Sequence, residues 1–284
     1  MRKICLAILL GCIQMTVFSQ PTFPVNGVGD ERETTYAFTH ASIVKDPQTT
    51  MTDATMLVKN GKIIALGTVS VIPADAIVID CHGKFIYPSF IDIYADYGIN
   101  APQQTMGMGR GFGVAQLTSN QKGAFGWNQA IKSDVNSASI FSVDEAKAKS
   151  LREIGFGAVL SHQKDGIARG TGSLVSLASM KENLVILKEK ASAHYSFSKG
   201  SSSQSYPSSM MGSIALLRQT YLDAKWYKKN TEKEGVNLTL SAWNNNQNLP
   251  QIFEANDKWN ALRADRIGDE FGVQYILKTS GNEY

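Results

Sequence analysis

Apolar and polar positions along this chain fall into two styles. From residue 56 to residue 87 the apolar runs are short, at 56–58, 62–66, 77–79 and 84–87, rich in β-branched residues and separated by polar or turn residues. Runs of this kind predict strands. Asn60-Gly61 joins the first two, and because both residues tolerate positive φ the pair predicts a tight hairpin. A small antiparallel sheet is expected over about residues 36–87. Pro88 then leads into residues 90–94, FIDIY, apolar but for Asp92, which predict a buried strand.

Beyond this point helical and strand periods alternate. Ser142 and Glu145 match a capping box that opens an amphipathic helix through Ile154, which Gly155 closes. Residues 156–160 predict the next strand, and 173–178 with 184–187 predict a hairpin around 181–183. The Ser-rich stretch 196–213, with Pro207, predicts a surface loop. Ile214, Leu217, Tyr221 and Ala224 then lie on one stripe of a helix. Residues 252–255, Asn256 as N-cap, a helix face of Trp259, Leu262, Ile267 and Phe271, the stop at Gly272 and residues 273–277 make a βαβ unit. Residues 98–139, glycine-rich and mixed with Gln, Asn and Ser, show no apolar period and predict a flexible insertion.

Composition narrows the class. With 284 residues and 43% apolar content the chain can bury one large core or two modest ones. A net charge of +3, with both signs interspersed and no basic aromatic patch, argues against nucleic acid as a partner. Residues 1–19 read as a signal peptide: Arg2 and Lys3, an apolar run over 4–13, and Val17 and Ser19 at the recognition positions. Leu9-Leu10-Gly11-Cys12 also has the outline of a lipoprotein box, which would anchor the chain at Cys12; both readings stay open. Either implies a periplasmic or secreted location, and the run is too short for a transmembrane span. Residues 20–35 read as a leader. After ordinary cleavage Cys81 is the one remaining cysteine, so no internal disulfide is expected.

The order Asn60, Gly61, Lys62, Gly67, Ile72, Pro73, Val78, Ile79, Asp80, Gly83, Lys84, Pro88, Phe90, Ile91 and Asp92 resembles the amidohydrolase superfamily, in particular its imidazolonepropionase-like members. There a strand, an NG turn, a strand ending in Gly, "IP" and "VIDxxGK" precede "PGLIDxHxH". The resemblance implies an α/β fold: a small β-sandwich segment over 36–87, followed by a partial, TIM-like (β/α) amidohydrolase barrel over 88–284. It implies hydrolysis of C–N bonds other than peptide bonds, assisted by zinc or another divalent metal. The two motif histidines correspond to Tyr94 and Asp96. Residues 250–256, PQIFEAN, are similar to a "PVxxHAN" strand and put Glu254 at a third ligand position; Ser280 stands where an "HG" pair is usual. With no histidine at these positions the metal site is degenerate, no metal is expected in this segment, and the segment alone is expected to be inactive. Asp96 and Glu254 would either hold a hard cation or be satisfied by hydrogen bonds or a salt bridge. The strand count reaches about half of an eight-stranded barrel, so the chain is expected to be the N-terminal portion of a longer protein. Its partner would be the remaining C-terminal part or a second amidohydrolase domain. The alternative is a non-catalytic barrel domain, serving as scaffold or periplasmic ligand-binding module.

The remaining candidates are few. His40, His82, His162 and His194 show no metal-binding spacing, and for three of them a surface or hydrogen-bonded role is expected. His162 follows the 156–160 strand, at the end where barrel active sites gather, and is a weak site candidate. Arg169 is another, because Gly166 to Gly172 either wraps an anion with backbone amides or is a plain glycine turn. The GxGxG spacing at Gly107 to Gly113 lacks the strand and helix a dinucleotide site needs. SxxK matches at Ser119, Ser161 and Ser196 occur about as often as chance allows and are set aside.

Overall fold

The structure is a computed structural model that describes residues 34–68, 71–100, 119 and 121–281. The signal peptide, most of the leader and residues 101–118 of the expected insertion lie outside the described residues. Two compact units meet in sequence at Pro88 and Ser89.

The first unit is built on one sheet. Strands β1 (Tyr36–Asp46), β2 (Thr49–Lys59) and β3 (Lys62–Gly67) form an antiparallel meander. The β2–β3 turn is the expected one, with Asn60 at φ 52° and Gly61 at φ 69°. β4 (Ile77–Asp80) and β5 (Phe85–Ile86) pair with β1 in parallel, which corrects the expectation of a purely antiparallel sheet. The chain crosses back after β3 and so re-enters in the direction of β1. Ala41, Ile43, Ala54 and Cys81 form its small core. Among the described residues this is a single sheet rather than a sandwich, and Ile63, Ile77, Val78 and Phe85 are exposed.

The second unit holds a six-stranded sheet in the order β11-β10-β9-β8-β7-β6. Its strands are β6 (Phe90–Ala95), β7 (Phe156–Ser161), β8 (Ala168–Ser176), β9 (Ile186–Ser196), β10 (Gln251–Glu254) and β11 (Tyr275–Lys278). Neighbours are parallel except around β8, which runs antiparallel to both β7 and β9. A short β7–β8 connection leaves no room for a crossover helix, so the chain must turn back. This departs from the uniform βα rhythm of a TIM-like barrel. β6 was expected to be buried, yet Phe90, Ile91 and Ile93 are exposed, because among the described residues β6 is an edge strand paired with β7 alone.

Helices α1 (Ser137–Ile140), α2 (Glu145–Glu153), α3 (Glu182–Val185), α4 (Met210–Glu234), α5 (Leu238–Asn246) and α6 (Lys258–Phe271) complete the described elements. The capping box expected at Ser142 does not form: Asp144 caps α2 by accepting from the Lys147 amide, and Glu145 turns instead to Arg152 and Ser179. Likewise Asp257, not Asn256, caps α6. On α6 the buried face is Ala264, Ile267 and Gly268, whereas Trp259 and Leu262 are exposed. α4 buries Leu216, Leu217, Tyr221 and Ala224 against Trp243, Tyr195 and Phe253, and this is the larger core.

Two stretches expected to be loose are packed. Residues 121–139 bridge to β8 through Ile131 to Ala168 and Asn136 to Thr171, with Asn128, Ser133 and Ser137 buried. The 196–213 stretch starts inside β9 and ends inside α4, with Phe197, Ser202 and Gln204 buried.

Candidate functional site: an arginine-centred polar cluster

The second half of β9, residues 192–196, is buried on both faces, and its two faces differ. Ala193, Tyr195 and Phe197 enter the larger core, while Ser192, His194 and Ser196 point the other way. On that other side the neighbouring strands contribute further polar side chains: Tyr94 from β6, His162 just past β7, Arg169 from β8, Glu254 from β10 and Lys278 from β11. Five of the six strands supply a member, and the residue just past β7 supplies another.

Arg169 organises the cluster. Its Nη1 donates to the Tyr94 hydroxyl at 2.7 Å, its Nη2 to Glu254 Oε2 at 2.7 Å, and its Nε to the Gly166 carbonyl at 3.2 Å. The Arg169 side chain is 4% exposed and that of Glu254 20%. Burial works to raise the Glu254 carboxyl, but the guanidinium charge and its hydrogen bond, with help from Tyr94, hold it below the usual carboxylate range. Burial pushes the Tyr94 phenol far above its ordinary value, and the Glu254 charge adds to this.

His162 and His194 stack, with ring centroids 3.6 Å apart and planes 8° from parallel. Tyr94 lies against His162 at 4.6 Å. His194 Nε2 meets Ser192 Oγ at 2.7 Å, whereas its Nδ1 and both nitrogens of His162 have no partner among the described residues. Burial, followed by the nearby cations Arg169 and Lys164, depresses His194 to about 3. His162 is driven far below its usual value by burial, by His194 and by the same cations. Both rings are therefore neutral throughout the physiological range. Gly172 of β8 makes the seat for this pair, because a Cβ there would stand 2.5 Å from His194 Nε2 and 2.6 Å from Ser192 Oγ.

The expected candidates can now be placed. Tyr94, Glu254, Arg169 and His162 come together. Asp96 does not: it is 54% exposed and faces Lys147 at 3.5 Å and Lys164 at 3.7 Å. Each carboxylate thus has its own cation, and the Asp96–Glu254 cage for a hard cation is not formed. Ser280 is exposed beyond β11. The amides of Ile167 and Ala168 donate to the Ala130 carbonyl and that of Thr171 to Val135, so they are not free to wrap an anion. His40 pairs with Asp53 on the surface at 2.9 Å and His82 is exposed. His194, expected to be unremarkable, is instead part of the cluster, as are Lys164 and Lys278, whose ammonium groups lie 5.0 and 5.2 Å from the centre of the Tyr94 ring. The alternation of polar residues at 192, 194 and 196 was the available signal for His194.

The divalent metal implied by the resemblance does not fit these residues. The positions it would join, Tyr94 and Glu254, are already joined by a guanidinium that proteins do not deprotonate. Among the described residues no three His, Cys, Asp or Glu side chains converge to hold a metal ion. Burial and the neighbouring cations leave both histidines neutral near pH 7, and Arg169 lowers the basicity of the Glu254 carboxylate.

The sequence matches no protein-family model and no curated protein. Among solved structures the chain is similar to an amidohydrolase from Thermotoga maritima MSB8, with a TM-score of 0.65 at 22% identity over 85% of this chain and 63% of that one. An uncharacterized protein and another amidohydrolase each give a TM-score of 0.34 at 10% identity and carry no weight. The class defined by the first comparison is an amidohydrolase-like fold. This chain spans 63% of the length of the Thermotoga protein. No helix among the described residues is long and apolar enough to cross a membrane.

Proposed function

We propose that the chain is a non-hydrolysing segment of an imidazolonepropionase-like amidohydrolase, a TIM-like barrel portion with degenerate metal positions, working in the periplasm or outside the cell. The observation that carries this reading is the Arg169 guanidinium between Tyr94 and Glu254. A zinc ion placed there would displace a fixed cation and meet a phenol and one carboxylate instead of imidazoles. Hydrolysis of C–N bonds belongs to the partner, either the remaining C-terminal part of the protein or a second amidohydrolase domain. Among the described residues β6 and β11 each pair on one side only, and Phe90, Ile91, Ile93, Ile276 and Leu277 are exposed along them. Further βα units docking on these edges would cover that surface.

The test is metal analysis by inductively coupled plasma mass spectrometry on the purified chain, with hydrolysis assays on a panel of small amides. Substoichiometric zinc and no turnover are expected. Stoichiometric zinc with amide hydrolysis would overturn the proposal.

A further inference from the structure

Helix α4 carries apolar side chains on two opposite faces. Leu216, Leu217, Tyr221, Ala224 and Tyr227 are buried on the inner one. Met211, Ala215, Leu222 and Trp226 recur at the helical period on the outer one, where Met211 is 80% exposed, Leu222 54% and Trp226 51%. At about 1.5 Å per residue the outer stripe is about 22 Å long. Single exposed apolar residues need no explanation, but an aligned row on a helix that is already packed on its other side does.

The charge along the stripe is basic. Lys225 and Lys229 flank Trp226 within one turn, and both are exposed. Arg218, one turn before Leu222, is neutralised by Glu270 of α6 at 2.6 Å. Asp223 lies about 100° to the side of Leu222 and accepts from Gln219 Nε2 at 2.6 Å. Glu232 and Glu234 follow Asn230, where the backbone leaves helical geometry at φ −125°, and so fall off the register of the stripe.

Completing the barrel does not cover this face. α4 and α5 join β9 to β10, which lie inside the sheet order, whereas added βα units would pair at β6 or β11, and the helix beside β11 is α6. The occupant has to take an indole and a leucine together with two ammonium groups. The boundary of an anionic bilayer does so, with the apolar side chains entering between headgroups and acyl chains and the lysines meeting phosphates. The N-terminal apolar run, as signal peptide or as lipoprotein box, delivers the chain to a membrane.

We propose that the outward face of α4 is a peripheral membrane-binding surface that takes anionic phospholipid, with Leu222 and Trp226 as the inserted residues and Lys225 and Lys229 as the headgroup contacts. The inference rests on the export reading for delivery and is independent of the metal site and of hydrolysis.

Vesicle titration of the purified chain tests it, with brominated phosphatidylcholine alone and mixed with phosphatidylglycerol. The signal is quenching of Trp226 fluorescence, taken as the difference between the chain and its Trp226→Phe variant, so that attachment through the N-terminus alone gives none. Quenching should require phosphatidylglycerol and weaken in high salt. Lys225→Glu and Lys229→Glu should each raise the lipid concentration at half-quenching at least about fivefold. Both side chains are exposed, so the urea midpoint should stay. A Trp226 that remains unquenched on both kinds of vesicle, as it would if the face docks a soluble protein, would overturn the proposal. So would equal quenching with and without phosphatidylglycerol, or quenching indifferent to both lysine substitutions.

Discussion

Acid should loosen the second unit well before its carboxylates protonate. The perturbation is a change from about pH 8 to about pH 5. His162 and His194 are neutral in the folded unit because burial and the Arg169 and Lys164 charges depress them, but in the unfolded chain each has the ordinary value of 6.5. A depressed histidine binds fewer protons folded than unfolded, so stability is present above the unfolded value and is lost as pH falls below it. At pH 5, roughly 1.5 pH units below 6.5, each histidine costs about 2 kcal/mol, or about 4 kcal/mol for the pair. Glu254 and Asp165, with lowered values, lose their contribution only at more acidic pH and stay out of this window. His40 of the first unit is raised by its hydrogen bond and charge pairing with Asp53, which acts in the opposite sense, but it is invisible to the assay. Tryptophan fluorescence reads only the second unit, because Trp127, Trp226, Trp243 and Trp259 all lie there. Urea titrations at several pH values should therefore show the loss directly. His162→Leu removes a ring whose nitrogens have no partner among the described residues, so it should be neutral or stabilising near pH 7.5 and should halve the acid sensitivity. If His162→Leu keeps the full wild-type pH dependence, the reasoning is wrong.

Arg169→Met should destabilise the unit by about 3 kcal/mol by stranding the Glu254 carboxylate, and adding Glu254→Gln should restore much of it; a double-mutant cycle in urea reads both. Gly172→Ala should cost about 1–3 kcal/mol as the new methyl presses on His194 and Ser192, with histidine NMR shifts reporting the displaced ring. By contrast, Arg218→Ala should change the urea midpoint little, by less than about 1 kcal/mol, because its pair with Glu270 is exposed.

How legible was all this in the residues? The β2–β3 hairpin was, because Asn60-Gly61 has a local geometric reason to turn. The β10–α6–β11 unit was too, since its apolar runs and Gly272 are local signals. Helix starts slipped because Ser142 and Asp144, or Asn256 and Asp257, are chemically equivalent caps a residue or two apart. Residues 121–139 hid their order: they dock by backbone bridges and single buried polar groups, which leave no period. Tyr94, Glu254 and Arg169 were each singled out by position, but their meeting was not readable, since Arg169 stands 75 residues from Tyr94 and 85 from Glu254. The exposure of β6 is likewise a property of its neighbours, and a run such as FIDIY reads alike in the centre of a sheet or at its edge.

The antiparallel placement of β8 has a consequence for how the unit assembles. β8 and β9 pair through residues close in sequence, from Val175 with Ile186 outward to Ala168 with Tyr195, whereas β10 reaches β9 only after the long α4 and α5 excursion. Short loops close sooner than long ones, so the hairpin is the expected early structure and β10 a late arrival. Until β10 docks, the Arg169 charge has no carboxylate opposite it. Leu174→Ala is accordingly expected to slow refolding and Phe253→Ala mainly to hasten unfolding, which stopped-flow fluorescence would separate. The charge pair at the centre of the sheet then works as a completion check: a chain that stalls after its hairpin carries an unmatched cation where a finished one carries a bond.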